Sequence, residues 1–314
     1  MSESSPAPSD AAVQPDANGH IISPADVRVA PGPHWTERSP AGHLYQREED
    51  MTMEGQLIQD YLHRLGVSER APDAEFLREL QERHLMAVPF ENIDFHLGRP
   101  IRLGEHALEK VVRRGRGGTC RELNGSVFPD LLRALGYRVT LLGSRVFRGD
   151  RPSFPLGHTV IRVDTPQPWL VDVGFGRDGA RYPLQLDSRA PQPDPNGTFA
   201  FVPGPDGDLD LLRDGAPVLR IEQHPRTVDD FLHVLWWYEN SPSSPFRKSL
   251  FCTRQSENGR ITLRGNLLTR TEKAHREKLL LNGDAEIRQA YREHFGITLD
   301  RLPPIPQEVP EHSL

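Results

Sequence analysis

The sequence contains only two cysteines, Cys120 and Cys252, among 314 residues. So few thiols cannot form a disulfide framework, and the sequence has no C-x-x-C pair on which a zinc site could be built. We therefore expect two free thiols and no metal site. A thiol that is neither cross-linked nor bound to a metal can be a nucleophile, or it can be a small buried side chain.

Long apolar runs and an excess of basic charge are also absent. No run approaches the roughly 20 apolar residues that a transmembrane helix needs, and the mean hydropathy is −0.56. The formal net charge is −6, with basic residues scattered among acidic ones, which argues against broad binding to nucleic acid or anionic membranes. The first residues lack the basic and apolar segments of a secretory signal. We expect a cytoplasmic protein whose function lies in a cleft for small molecules.

The composition changes along the chain in a way that predicts three structural parts after an extension. Residues 1–50 are rich in proline and lack apolar periodicity, which predicts a disordered extension. Residues 51–136 have apolar side chains at helical spacing and predict a helical unit. Residues 137–224 consist of short β-branched segments between Gly and Pro, as strands do. Residues 225–314 begin with an aromatic segment and then mix strand-like and helical patterns.

Cys120 lies where a reactive thiol could form. It follows Gly117 and Gly118 and precedes a predicted helix. A helix N-terminus and a nearby imidazolium both lower the pKa of a thiol, and a glycine turn can expose the first helical residue. The alternative is that Cys120 is a buried hydrophobic residue. Cys252 has neither a glycine turn nor a helix start beside it, which favours the buried state there.

A nucleophilic thiol needs a base, and the base needs an orienting group. His158 begins a predicted strand, and Asp172 lies in an apolar strand where an unpaired carboxylate would be costly to bury. Sequential strands are usually neighbours, so Asp172 could accept a hydrogen bond from His158 and fix its tautomer. Taken singly, a strand histidine and a turn-proximal carboxylate are ordinary structural residues. Together with Cys120 they form a hypothetical triad.

Four motifs occur in a fixed order along the chain. They are VPFENIDFHLGRPIRL at 88–103, RGGTCRELNG at 116–125, GHTVIRVD at 157–164 and LVDVGFG at 170–176. This set resembles the arylamine N-acetyltransferase family, and the resemblance extends over about residues 61–295. It implies an α+β fold arranged as in cysteine proteases, with an N-terminal helical bundle, a central β-barrel and a C-terminal α/β lid. It also implies that Cys120, His158 and Asp172 are the family's catalytic triad.

The resemblance implies a function as well. Acetyl-CoA would transfer its acetyl group to Cys120, and an arylamine, arylhydroxylamine or hydrazine would then attack the thioester in a ping-pong mechanism. Acetyl-CoA is thus an acyl-donor substrate, and no bound cofactor is expected. A related alternative is an amide synthase, which uses the same triad to close a macrolactam from a polyketide on an acyl carrier protein. A catalytically silent binding module is a third possibility, against which the intact triad argues.

The resemblance also suggests residues that support the site. Glu91 and Arg116 resemble the buried ion pair that braces the active-site turn of the family. The expected substrate-binding residues are Phe90, Thr119, Arg121, Gly174, Phe175 and Gly176. Family members usually flank the cysteine with aromatic residues, where this chain has Thr119 and Arg121. We expect Arg121 either to lower the pKa of the thiol or to bind an anionic group of a substrate; the alternative is that it points to solvent or to Glu122.

Overall fold

The computed structural model describes residues 55–176, 179–273 and 275–306, so the extension predicted for residues 1–50 lies outside the described part. The α-helices are α1 (Gly55–Leu65), α2 (Ala74–Ala87), α3 (Ile93–Leu97), α4 (Glu105–Leu108), α5 (Cys120–Glu122), α6 (Phe128–Ala134), α7 (Leu232–Asn240), α8 (Pro245–Lys248) and α9 (Gly283–Phe295). The strands are β1 (Phe90–Glu91), β2 (Arg138–Arg148), β3 (Arg151–Pro152), β4 (His158–Thr165), β5 (Gln167–Val171), β6 (Leu184–Gln185), β7 (Gln192–Asp194), β8 (Gly197–Pro203), β9 (Leu209–Arg213), β10 (Ala216–Arg226), β11 (Phe251–Ser256), β12 (Gly259–Arg264), β13 (Leu267–Glu272) and β14 (His275–Leu280).

The first part of the described chain is helical, as its periodicity predicts. Asp73 is the N-cap residue of α2, since its carboxylate accepts a hydrogen bond from the Phe76 amide at 2.7 Å. A π-helical turn, Leu123–Val127, connects α5 to α6, and Pro129 is the second residue of α6, directly after this turn. The irregular turn thus lies next to the proline, which cannot donate a backbone hydrogen bond.

The middle of the chain forms a barrel-like antiparallel sheet. Its strand order is β6-β5-β4-β2-β10-β9-β8-β7, with β3 paired to β2. Alternate residues of each strand point inward, so that Phe199 and Phe201 of β8 meet Val160 and Ile221 in one apolar core. A small cavity of about 10 Å³ lies beside Asp172 and Phe175 and is lined by apolar side chains of the barrel.

Strands β11 to β14 follow the barrel in sequence. Together with β1 they form a second antiparallel sheet, in the order β1-β11-β12-β13-β14. The segment from Arg260 to Arg270, which reads as one strand-like stretch in the sequence, is two strands joined by a turn. Cys252 in β11 is 0% exposed, as predicted. Strand β1 comes from the helical part of the chain, yet it pairs with β11 through Phe90 and Thr253.

The three parts share a core. One apolar cluster includes Tyr61 of α1, Val163 of β4 and Phe251 of β11. Because of this sharing, the boundaries at residues 136 and 224 stay a prediction. Within the described ranges, no helix has the length and apolar character needed to cross a membrane, and no group of three or more metal-ligating side chains is present.

Candidate active site

Cys120 is the first residue of α5 and lies between Thr119 and Glu122, which form a capping box. Thr119 is the N-cap residue; its amide donates to the Glu122 carboxylate at 2.8 Å, and its side chain accepts from the backbone of the first helical turn. This reciprocal pair fixes the point at which the helix begins. It therefore places the Cys120 thiol at the N-terminal end of the helix, where a thiolate is electrostatically favoured.

The two glycines before this turn are required by close packing. A Cβ on Gly117 would lie 1.9 Å from the Pro89 carbonyl oxygen, and a Cβ on Gly118 would lie 2.8 Å from the Glu122 carboxylate. Neither residue has a positive φ. The turn lies where the sequence predicts it, and close packing, rather than a left-handed backbone, is what requires glycine at Gly117 and Gly118.

The structure brings Cys120, His158 and Asp172 together. His158 begins β4, Asp172 follows β5, and these strands are hydrogen-bonded neighbours. His158 Nε2 lies 2.8 Å from Asp172 Oδ2, which leaves Nδ1 as the ring nitrogen available to the Cys120 thiol. All three side chains are buried. The geometry matches a thiol, its base and the group that orients the base.

The electrostatics of the site favour an ion pair between thiol and imidazole. Burial opposes the charged form of His158, but the charge and hydrogen bond of Asp172, together with Cys120, raise its pKa to about 9. Burial would likewise raise the pKa of the Cys120 thiol, but the charge of Arg121 and the hydrogen bond and charge of His158 bring it below its usual value. Burial raises the pKa of Cys252 well above the usual value. The pKa values of the two thiols are therefore shifted in opposite directions; that Cys120 is the nucleophile stays a prediction.

Asn124 holds Asp172 in place, and the sequence reasoning gave it no role. Its side-chain amide donates to Asp172 Oδ1 at 2.6 Å and to the Thr159 carbonyl at 2.7 Å, and its oxygen accepts from the Val173 amide at 2.9 Å. The Gly174 amide also donates to Asp172 Oδ1, at 2.9 Å. One signal was present: Asn124 is four residues after Cys120, so a helix places both on one face.

Of the residues predicted to bind substrate, Gly174 and Phe175 adjoin the triad, whereas Phe90 and Gly176 contact each other. The Phe175 ring packs against the His158 imidazole, with centroids 5.0 Å apart. Phe90 stacks on an aromatic side chain of β11, and a Cβ on Gly176 would lie 3.2 Å from the Phe90 ring. Gly174 adjoins the nucleophile itself, because a Cβ there would lie 2.8 Å from the Cys120 Cα. The absence of a side chain at Gly174 makes room for the Cys120 backbone. That these four residues contact a substrate stays a prediction.

A buried charge network braces the active-site turn. Arg116 donates to Glu91 Oε1 through Nη2 at 2.7 Å and Nε at 3.1 Å, which is the predicted ion pair. Lys110 Nζ adds contacts to Asp94 at 2.7 Å and to Glu122 at 2.6 Å. No local pattern indicated a role for Lys110, since a lysine close to several arginines is typical of a protein surface. The network ties the turn to the Glu122 carboxylate that completes the capping box.

Curated relatives and a family model place this arrangement among known proteins. The pineal gland arylamine N-acetyltransferase isozyme of Gallus gallus is 31% identical over 78% of this chain and 95% of its own length. A family model described as N-acetyltransferase matches residues 73–303, more than half of the chain. The chain belongs to the arylamine N-acetyltransferase family. It is accordingly an acyltransferase, as predicted.

Solved structures from the arylamine N-acetyltransferase family have the same fold. The enzyme of Salmonella typhimurium matches with a TM-score of 0.72 and 28% identity, over 78% of this chain and 92% of that chain. The enzyme of Mycobacterium marinum, solved in complex with CoA, matches with a TM-score of 0.70 and 30% identity, over 76% and 92% of the two chains. These matches confirm the predicted α+β class, with helical bundle, barrel and α/β lid.

Thr119 and Arg121 depart from the aromatic residues usual in the arylamine N-acetyltransferase family, and both are buried at 1% exposure. The Thr119 side chain is used in the capping box. The Arg121 guanidinium contacts the Thr159 hydroxyl and the Leu156 carbonyl. It therefore points neither to solvent nor to Glu122, the alternative raised by the sequence. That Thr119 and Arg121 bind substrate stays a prediction.

Proposed function

We propose that the protein is an acetyl-CoA-dependent N-acetyltransferase that acts on arylamines, arylhydroxylamines or hydrazines through a thioester on Cys120. The observation that carries the proposal is the buried array in which His158 joins the Cys120 thiol to the Asp172 carboxylate. The relatives named above support the substrate classes, since they are called arylamine N-acetyltransferases and one was solved with CoA.

In the first half-reaction, Cys120 takes the acetyl group from acetyl-CoA. The thiolate sulfur attacks the thioester carbonyl carbon, and a tetrahedral intermediate forms. As this intermediate collapses, the bond from carbon to the CoA sulfur breaks, and the His158 imidazolium gives its proton to the departing thiolate. The products are free CoA and acetylated Cys120, with His158 neutral.

In the second half-reaction, neutral His158 acts as the base. The nitrogen of the acceptor amine attacks the acetyl carbonyl carbon, and its proton passes to His158. The bond between carbon and the Cys120 sulfur then breaks, so the thiolate and imidazolium return together. Asp172 keeps the ring oriented in both steps, because its Oδ2 stays hydrogen-bonded to Nε2.

The negative oxygen of each tetrahedral intermediate needs N–H donors. The Cys120 amide lies at the start of α5, where the first backbone N–H groups have no carbonyl of an earlier turn to bond. We propose this amide as one donor. It is linked covalently to the nucleophile, so it stays close to the oxyanion throughout the reaction.

The test is to incubate the full-length protein with acetyl-CoA and to measure the intact mass, followed by peptide mapping. We expect one acetyl adduct on Cys120, which an arylamine then removes. Cys252→Ala is the matched control, since Cys252 is fully buried and should not be labelled. Cys120→Ala should abolish the adduct. A folded wild-type protein that gains no acetyl group refutes the proposed donor.

The amide synthase alternative uses the same triad, so the triad does not distinguish it. The same experiment can: an acyl group accepted from an acyl carrier protein thioester, with none accepted from acetyl-CoA, would favour the amide synthase. If neither donor acylates Cys120, a binding role becomes the better description. No contact within the described chain favours either alternative, and we retain acetyl-CoA as the proposed donor.

A further inference from the structure

Arg121 is a buried cation with neutral partners. Its side chain is among the largest that are fully buried, at 1% exposure. The terminal nitrogens donate to the Thr159 hydroxyl and the Leu156 carbonyl, and Nε has no hydrogen-bond partner. The guanidinium carbon lies 4.7 Å from the centre of the Phe231 ring. Each of these contacts is with an uncharged group.

A buried guanidinium without an anion is costly, because arginine keeps its charge in proteins. Arg116, also buried, shows the usual solution, since its guanidinium contacts the carboxylates of Glu91 and Asp94. Within the described ranges, no carboxylate lies at ion-pair distance from Arg121. The anion that adjoins it in sequence is the Cys120 thiolate, and the interaction of the two charges favours both. The site thus offers the thiolate a countercharge that is independent of His158.

The charges of the site balance only when Arg121 is included. In the ion-pair state, Cys120 carries −1, His158 carries +1 and Asp172 carries −1, so the triad alone has a net charge of −1. Adding Arg121 makes the buried group neutral. It is neutral again after acetylation, when Cys120 and His158 are both uncharged and the charges of Asp172 and Arg121 cancel. A low-dielectric site favours states without net charge.

We propose that Arg121 is a positioning residue that acts on catalysis as the buried countercharge of the Cys120 thiolate, and that it does not recognise an anionic substrate. Its terminal nitrogens are held by Thr159 of β4 and by Leu156 in the segment before it, which fixes the guanidinium in the buried region that also contains His158, the neighbour of Thr159. The proposal rests on the proposed function only in taking Cys120 as the reacting residue.

The other titratable and charged groups around Cys120 come from three further segments. His158 lies on β4, Asp172 follows β5, and Tyr238 lies on α7. Burial raises the pKa of Tyr238, which therefore stays neutral, and its hydroxyl donates to the Gly157 carbonyl at 2.9 Å. Glu122 is turned to Lys110 and the Thr119 amide. Of these groups, only His158 supplies a second positive charge to the thiolate.

The test measures how the rate of iodoacetamide alkylation at Cys120 depends on pH, in full-length protein with Cys252→Ala. Removing a countercharge should move the midpoint upward, because more hydroxide is then needed to form the thiolate. We expect Arg121→Met to raise the midpoint by about one pH unit, with about tenfold slower alkylation below it. Arg121→Lys, which keeps the charge, should restore most of the difference.

Arg181→Met is the matched control. Arg181 is also buried, at 5% exposure, and its side chain also donates to neutral groups, namely Gln255 and the backbone carbonyls of Ser256 and Glu257. Its loss should lower stability and leave the midpoint unchanged. This separates an electrostatic role at the thiol from the general effect of losing a buried arginine.

A midpoint in folded Arg121→Met equal to that of the parent overturns the proposal. If Arg121→Met does not fold, Arg121→Phe replaces it, since an aromatic residue is usual here in the family. The midpoint should again rise by about one pH unit, and an unchanged midpoint again overturns the proposal. The rate of burst acetylation by p-nitrophenyl acetate at a pH below the midpoint should be lowest in Arg121→Met, higher in Arg121→Lys and highest in the parent. A selective loss of affinity for acetyl-CoA, with an unchanged midpoint, would instead assign Arg121 to anion recognition.

Iodoacetamide and p-nitrophenyl acetate keep this test separate from that of the proposed function. Neither probe contains CoA or an arylamine. A protein that fails to take acetyl from acetyl-CoA can still show the Arg121-dependent midpoint, which would retain this inference and reject the donor. If acetyl-CoA acetylates the protein but the alkylation midpoint does not depend on Arg121, the donor is retained and this inference is rejected.

Discussion

Replacing Asn124 by alanine should weaken both the fold and the triad. The substitution removes three hydrogen bonds, of 2.6, 2.7 and 2.9 Å, in a residue that is 0% exposed. The bond to the Asp172 carboxylate contributes about 1.5–3 kcal/mol and each neutral bond about 0.5–1.5 kcal/mol. Because buried partners cannot regain these bonds from bulk water, we expect Asn124→Ala to lower the free energy of unfolding by about 3–5 kcal/mol.

The same substitution should slow acetylation, since Asp172 would lose a bond that fixes its position relative to His158. Misplacing a catalytic group by about 1 Å can reduce the rate about a hundredfold, so we expect a loss of about tenfold to a hundredfold. Asn124→Asp should be at least as harmful. It has nearly the same shape, but it replaces the N–H donors that face Asp172 with a second carboxylate.

Stability is measured by urea denaturation, and acetylation by single-turnover reaction with acetyl-CoA. The matched control is Asn258→Ala in the turn between β11 and β12, where the side chain is exposed and the change should stay within about 0.5 kcal/mol. Our reasoning is refuted if Asn124→Ala lowers the free energy of unfolding by less than about 1 kcal/mol and acetylates at the parental rate.

Three further predictions concern the loop, the charge network and pH. Gly174→Ala places a Cβ 2.8 Å from the Cys120 backbone and should lower stability by about 1–3 kcal/mol and slow acetylation, whereas Gly125→Ala meets no atom within 4 Å and should be neutral. Lys110→Met removes the cation that the buried Glu122 carboxylate contacts at 2.6 Å and should lower the free energy of unfolding by about 3–5 kcal/mol, against about 0.5 kcal/mol for the exposed Arg113→Met. The folded-state pKa of His158, about 9, exceeds its ordinary value of 6.5. Its contribution to stability should therefore be complete below pH 6.5 and be lost as the pH rises through about 9.

Each of these predictions has a decisive measurement. Equal unfolding midpoints in urea for the two glycine variants would contradict the packing argument, and equal midpoints for Lys110→Met and Arg113→Met would contradict the network argument. The pH prediction compares Cys120→Ala with Cys120→Ala/His158→Gln, so that thiol titration does not contribute. A stability difference that stays constant or grows between pH 6 and pH 9.5 would show that His158 does not gain charge on folding.

Much of the architecture could be predicted because its determinants are local. The N-cap at Asp73, the helix start at Cys120 and the strand at His158 each depend on a few consecutive residues. The expectation that sequential strands are neighbours predicted the pairing of His158 with Asp172, and the four motifs supported it. The prediction was incomplete in the hairpin of β12 and β13, where the Gly265-Asn266 pair is a two-residue turn signal inside a stretch that otherwise resembles one strand.

The sequence by itself determined which residues could react: a glycine-preceded cysteine at a helix start, a strand histidine and an aspartate in an apolar strand. Only the tertiary structure decided what surrounds them. Asn124 reaches Asp172 across 48 residues of sequence, and Arg121 reaches Thr159 across 38. Hydrogen-bond partners and burial depend on atoms that the fold brings together from distant segments, so no local pattern distinguishes an exposed Arg121 from a buried one beside the thiol.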